Sequence, residues 1–402
     1  MDSSIYRLRQ RDILMVCVLA LLLLGTIMVQ SAAMRVNGNT GWHWTELGRR
    51  HLIYALVAAA TFFIVGRVDY THLLRGTKSL WRNLILWGLA VATVTCTLVL
   101  VPGVGMEVNG ARRWLPLGFV QVQPSELAKW AVVLYLAWWL SSRPVDLRKF
   151  SRFLLTLIPV GMLCLLVVIQ DFGTAALIAL CALTMLIIGR VRTWHLLVTI
   201  PPALVAAAWF VMSEPYRWRR MTAFLDPYAA PQAEGYHMIQ SLLSFATGGV
   251  TGKGLGNGIQ KLGYLPEDTT DFIFSVICEE LGLFGALLTV TLYLGIIYVA
   301  WQTMSRNRDS FGRMLALGVA SMVGLQATIN IAVATVTVPT KGLSLPLVSA
   351  GGSGLVITCA ALGLLYSVTR VRHEPDKAAE PAPAHKPEPL SETVWREWTV
   401  KA

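Results

Sequence analysis

DILMVCVLALLLLGTIMVQ, residues 12–30, offers about the 20 apolar residues that a helix needs to cross ~30 Å of hydrocarbon. Arg7, Arg9 and Arg11 precede it, as basic residues precede a signal peptide. Its apolar part is too long for a signal core, and more such runs follow, so it reads as a retained first helix. Hydropathy in a window of ~19 residues predicts further spans near 50–66, 84–101, 125–140, 153–169, 172–189, 194–213, 272–301, 312–337 and 352–369. The boundary across QDFGT, 170–174, is the faintest of them. The expected fold is an all-α polytopic membrane protein of about ten transmembrane helices, with a large extracytoplasmic loop at 214–271 between the seventh and eighth.

Composition agrees. Of 402 residues 55% are hydrophobic and only 14% charged, which excludes an ordinary soluble protein. The net charge of +11 is dispersed among short loops rather than gathered on one face, so it points to topology and not to nucleic acid. With the N-terminus inside, cytoplasmic segments hold Arg7, Arg9, Arg11, Arg67, Arg75, Lys78, Arg82, Arg143, Arg148, Lys149, Arg152, Arg190, Arg192, Arg306, Arg308, Arg313, Arg370 and Arg372. The short outer loops hold Arg35, Arg49, Arg50, Arg112, Arg113 and Lys341. This bias places both termini in the cytoplasm. Arg217, Arg219, Arg220, Lys253 and Lys261 fall in the long outer loop, which is largely exempt from the rule, and are candidates for binding something anionic. The expected organisation is a cytoplasmic segment 1–11, a membrane domain 12–370 and a cytoplasmic tail 371–402, rich in Pro, Ala and Glu, that cannot bury a core. Cys17, Cys96, Cys164, Cys181, Cys278 and Cys359 lie in or beside apolar runs without a CxxC pair and read as small helix residues.

Four constellations carry possible chemistry. Glu126 and Lys129, three apart behind Pro124, share one face at the head of a span, where an ion pair is the cheap arrangement. They serve either as a structural pair or as the polar wall of an internal cavity. Asp271 stands at the outer start of the eighth span, as a macrodipole charge or as a single base near the surface. Glu279 follows it by eight residues, about 12 Å along a helix, too far for the paired carboxylates of a glycosidase. Glu279 and Glu280 read as helix-holding groups. The run GGVTGKGLGNG, 248–258, lacks the GxxxxGK[ST] pattern, and its spacing fits a diphosphate cradle using Lys253 and Lys261 as well as a flexible loop. VPTKGLSLPLVSAGGSG, 338–354, has too many Pro and Gly to stay helical; it is expected as an irregular outer loop packed against the loop that bears Asp271. Arg112 and Arg113 add positive charge on that side, or snorkel beside Trp114.

NGARRWLPLGFVQVQPSELAK, GGVTGKGLGNGIQKLGYLPEDTTDFIFSVICEELG and PTKGLSLPLVSAGGSG, in this order, resemble the signatures of the SEDS family, which includes FtsW, RodA and SpoVE. The TKGL form and GNGIQKLGYLPE look more like its FtsW division branch than its RodA elongation branch. The resemblance implies a peptidoglycan glycosyltransferase that polymerises lipid II on the outer face of the cytoplasmic (inner) membrane, at the division septum. Its implied partners are a class B penicillin-binding transpeptidase and other divisome membrane proteins. It implies Asp271 as the catalytic acidic residue, and the expected role is that of general base on a sugar hydroxyl that displaces a polyprenyl diphosphate. Glu126 and Lys129 match the functional pair of QPSExxK, and Pro266, Glu267, Lys341, Gly342, Pro346, Ser349, Gly351 and Gly352 match further motif positions. The leaving diphosphate needs positive charge from basic loop residues, Lys129 or a divalent cation (Mg or Mn). Asp171 is the counterpart of the family's aspartate in a motif that here lacks its proline. The last motif here has Ala350 and Gly354 where an aromatic and a hydroxyl are usual, and His237 stands where Gln is common. Two other classes fit a membrane protein with intramembrane charges, a lipid II flippase and a divisome scaffold; polar motifs crowded on one side, without an internal repeat, favour the enzyme.

Overall fold

A computed structural model describes residues 9–34, 44–75, 79–108, 111–118, 120–142 and 149–370. Arg7, Arg35, Lys78, Arg143, Arg148, Arg372 and the expected tail 371–402 lie outside the described residues. Each of the ten expected spans is a helix: α1 Gln10–Ala32, α2 Glu46–Arg67, α3 Leu84–Leu98, α4 Pro124–Ser142, α5 Phe150–Val168, α6 Phe172–Ile188, α7 Thr193–Met212, α10 Ile273–Arg306, α11 Ser310–Ala334 and α12 Ser353–Arg370. Seven of these are long and apolar enough to cross a membrane, and α3 and α6 are shorter apolar helices. The faint boundary resolves at Asp171, whose carboxylate caps α6 by accepting from Gly173 N (2.9 Å), Thr174 N (3.2 Å) and the Thr174 hydroxyl (2.6 Å). Pro124 opens α4, where a missing N–H costs nothing.

Helix α11 runs through the middle, packed on α4, α6 and α10, while α2 lies along α12 and α1 along α10 and α2. Three features depart from the hydropathy reading. Between α3 and α4 the chain makes a small antiparallel meander, β1 Met106–Val108, β2 Ala111–Leu117 and β3 Val120–Val122, ordered β1-β2-β3. Strands of three to seven residues disappear in a window several times longer. The long segment after α7 is not a plain loop: it folds α8, Pro215–Leu225, and α9, Tyr236–Gly248. Third, α10 is broken at Gly282 (φ 63°, ψ −155°).

The glycine-rich run explains that break. A broken helix leaves carbonyls and amides without partners, and the loop supplies them: Lys253 N donates to Glu279 O (3.0 Å), Gly254 N to Glu280 O (2.9 Å), and Leu283 N to Gly249 O and Val250 O (both 3.1 Å). Backbones meet so closely that a Cβ on Gly252 would lie 2.2 Å from Glu280 O, and one on Gly248 2.0 Å from Cys278 O. The segment 338–352 is irregular as expected, with Leu343, Leu345, Leu347, Val348 and Ser349 buried. The carbonyl of Pro346 accepts the Tyr293 hydroxyl.

Candidate functional site

The ends of α4, α5, α6 and α12, Gln326 of α11 and the Asp271 segment ahead of α10 surround a cavity of about 1060 Å³, with β2, α8, α9 and the 339–352 segment completing its wall. Among the predicted residues, Asp271, Glu126, Arg113, Lys341, Ser349, Gly351, Gly352, Asp171, Glu267 and His237 all line it. The segment bearing Asp271 is held by the 339–352 segment as expected: Ala350 N donates to Thr269 O (2.8 Å) and the Ser349 hydroxyl to Thr270 O (2.5 Å). Asn330 of α11 ties both together, its amide donating to Asp271 O (2.8 Å) and Leu343 O (2.6 Å).

Asp271 precedes α10 and is half-buried. Its carboxyl is pushed up from 3.8 to about 7, first by burial and then by the negative charges of Glu267 and Asp171, with Arg113 and Arg220 opposing. A carboxyl poised there is half ionised near neutrality, the condition for a general base. Lys341 reaches 4.4 Å over the Phe172 ring, and burial followed by Arg220 holds its ammonium below the usual lysine value. His237 stacks on Phe272 (centroids 6.0 Å apart, 14° between planes), and burial, then Arg220, keeps it below 6.5.

Positive charge comes from four side chains. Arg113 is anchored by Nε donating to Gln170 O (3.0 Å). Arg217 and Arg220 project from α8, the first stacked 3.8 Å over Phe210 and the second 4.5 Å over Tyr216. Lys341 is the fourth. Arg219, the remaining basic residue of that turn, pairs with Glu234 of the cavity wall at 3.1 Å.

Glu126 and Lys129 form the expected ion pair at 2.7 Å. Glu126 faces the cavity, while Lys129, 1% exposed, stands behind it and donates to Gln326 Oε1 (2.8 Å), whose amide donates to Ser344 O (2.8 Å). Gln326 and Asn330, one helical turn apart on α11, thus fix the 339–352 segment. Sequence reading passed over both, although amides inside an apolar span were a signal.

Two expectations are corrected. Lys253 and Lys261 do not reach the cavity: Lys253 pairs with Glu279 (2.8 Å) and Lys261 with Glu280 (2.6 Å). Glu279 also accepts from Ile259 N (2.9 Å) and Gln260 N (3.1 Å), and Glu280 from Ser31 Oγ (2.7 Å) and Gly256 N (3.1 Å). The run that suggested a diphosphate cradle is therefore a latch across the α10 break, its cations engaged by carboxylates that are 0% exposed. Arg112 also turns away, towards Glu107 at 3.5 Å. Among the described residues no three His, Cys, Asp or Glu side chains converge on one point, and no step is assigned to a divalent cation.

Residues 11–374 match the FtsW/RodA/SpoVE family, described as "Cell cycle protein". A "Probable peptidoglycan glycosyltransferase FtsW" of Nitrosococcus halophilus is 40% identical over 359 residues, 87% of this chain and 89% of that protein. The relative of the same description in Coxiella burnetii is 37% identical over 362 residues, 88% and 95% of the two. A chain solved in the study "Structural coordination of polymerization and crosslinking by a peptidoglycan synthase complex" superposes with a TM-score of 0.70 at 28% identity, over 89% of this chain and 96% of that one. The Thermus thermophilus rod shape determining protein RodA gives 0.65 at 27% identity, over 90% and 97%.

Proposed function

The chain belongs to the FtsW/RodA/SpoVE family of cell cycle proteins, and we propose that it is a peptidoglycan glycosyltransferase of the division branch that polymerises lipid II at the outer face of the cytoplasmic membrane. The observation that carries this reading is a carboxyl near pH 7, Asp271, set in a large cavity with Arg113, Arg217, Arg220 and Lys341. The relatives' names support the activity and the septal role.

In the proposed reaction the ionised Asp271 takes the proton of a sugar hydroxyl on one lipid-linked saccharide. The hydroxyl oxygen bonds to the anomeric carbon of a second, and the bond from that carbon to the diphosphate oxygen breaks. The polyprenyl diphosphate leaves with the electron pair, and the cationic side chains offset its developing charge. Ser349, Gly351 and Gly352 belong to the wall that shapes the sugar site, and Glu126, backed by Lys129, is the deep polar group available to a hydroxyl. A class B penicillin-binding transpeptidase is the proposed partner, an assignment supported by the synthase complex in which polymerisation and crosslinking are coordinated. Both termini are assigned to the cytoplasm.

The test incubates purified full-length protein with lipid II, with and without the transpeptidase, beside Asp271→Asn. Glycan strands from the wild type and none from the variant are expected. Equal polymer from both would remove Asp271 as the base, and lipid II crossing liposomes without polymer would favour a transporter.

A further inference from the structure

Glu267 lies four residues before Asp271 with φ at 54°, in the left-handed region that a side chain normally avoids. Such a conformation persists only where the surroundings impose it, and it clusters at functional sites. Here it aims one carbonyl at three amides: Glu267 O accepts from Thr270 N (3.2 Å), Asp271 N (3.1 Å) and Phe272 N (3.1 Å). That oxygen closes the turn at Asp271 from within, while Ala350, Ser349 and Asn330 hold the same turn from outside. The Glu267 side chain is exposed, and its Oε2 accepts the Thr270 hydroxyl at 2.9 Å. It lines the same cavity.

The charged groups facing Asp271 come from every neighbouring element. Asp171 heads α6 and Glu267 belongs to its own turn; Arg113 comes from β2 and Arg220 from α8. Lys341 stands on the adjoining segment, where a Cβ added to Gly342 would lie 3.1 Å from Asp271 Oδ2; His237 stands on α9, and Glu126 of α4, Arg217 of α8 and Glu234 before α9 line the same cavity. The two carboxylates differ in what else they do. Asp171 caps α6 through three hydrogen bonds, so removing its charge also frays a helix. Glu267 caps no helix: its side chain accepts within the Asp271 turn, and its charge also reaches His237.

We propose that Glu267 is a positioning residue for the reaction: its left-handed carbonyl helps hold the turn that presents Asp271 to the cavity, and its carboxylate, fastened to Thr270 in the same wall, is the like charge beside that of Asp271. The proposal rests on the reading of Asp271 as general base, and the experiment separates the two. In full-length protein in lipid nanodiscs, the protonated-carboxyl infrared band that is lost in Asp271→Asn is titrated in wild type, Glu267→Gln, Glu267→Asp and Glu267→Gly. Glu267→Gln moves the midpoint to lower pH by about one unit. With lipid II as substrate, the fraction of plateau activity reached at pH 6 then rises about fivefold, while the plateau itself falls because the base is weaker. Glu267→Asp keeps the charge and the wild-type midpoint. Glu267→Gly loses the charge but relieves the backbone, so it titrates like Glu267→Gln without melting earlier, and it stands in if Glu267→Gln does not fold. A wild-type midpoint in folded Glu267→Gln or Glu267→Gly overturns the proposal, whatever happens to the rate. Full polymerisation by Asp271→Asn would overturn the base reading instead, while the band midpoint would still decide whether Glu267 sets the basicity of Asp271.

Discussion

At the scale of the residue, Asp271 is a compromise between stability and chemistry, and its pH dependence has a definite sign. The folded chain holds the carboxyl proton to about 7 against 3.8. The stability this contributes is complete below pH 3.8 and lost as pH rises through about 7. The ionised form that the proposed base must take is therefore the one the fold tolerates least. Asp271→Asn should melt at a higher temperature than wild type at pH 8, by a free energy capped near ~4 kcal/mol and reduced by solvent in the cavity, and the gap should close towards pH 4. Calorimetry or a dye-based melt across that range checks it. The rate of polymerisation should rise through pH 7 to a plateau. Arg220→Met should shift that rise to higher pH, because Arg220 favours the ionised carboxylate, and should raise KM about tenfold through loss of a charge-assisted contact. Asp271 and the pair Glu126–Lys129 were legible because a carboxylate at the head of an apolar run has few inexpensive explanations. Lys253 and Lys261 were not. A lysine beside glycines looks the same whether it awaits an anion or already holds a carboxylate further along the chain, Glu279 26 residues after Lys253 or Glu280 19 after Lys261.

At the scale of the element, the broken helix and its latch form one unit. Gly282 ends a first helical stretch that begins just after Asp271, so whatever orients that stretch also orients Asp271. Glu280 is clamped by Lys261, Ser31 of α1 and the loop amide of Gly256. Burying such a pair brings little net stability, but removing one partner strands a charge and costs about 3–5 kcal/mol. Lys261→Met should therefore lower the melting temperature strongly, and Lys261→Met combined with Glu280→Gln should recover much of the loss, since neither charge is left alone. A double-mutant cycle of thermal unfolding in one detergent reads the coupling; strict additivity would mean that the two side chains do not act together. The helices themselves were visible in the sequence because an apolar run of span length has a single outcome in lipid. The meander, α8 and α9 were not, because short amphipathic pieces at a membrane surface average to neither signal.

At the scale of the whole molecule, the polarity of the helices sorts the charges. The cavity gathers the starts of α4, α6, α10 and α12 and the end of α5. The opposite end gathers the close of α2, the start of α11 and the close of α12, stitched by Arg370 donating to Arg67 O (2.6 Å), Ser367 to Val68 O (2.6 Å) and Tyr70 to Asp309 Oδ2 (3.1 Å). The short-loop arginines follow that second end: Arg67, Arg192, Arg306, Arg308, Arg313 and Arg370 all lie at helix termini away from the cavity. A bias of that kind fixes orientation during insertion, so the cavity end should face outward and the arginine end the cytoplasm. The cysteines give a quiet background for testing this: five of the six are buried and Cys164 is partly so. Tyr228→Cys, at a position 70% exposed between α8 and α9, should react with a membrane-impermeant maleimide on intact cells. Ser305→Cys, in the last turn of α10, should react only after the membrane is opened. The reverse pattern would place Asp271 and its four cations on the side where a lipid-linked saccharide bound for the cell wall is absent, and the polymerase reading would fail with the topology.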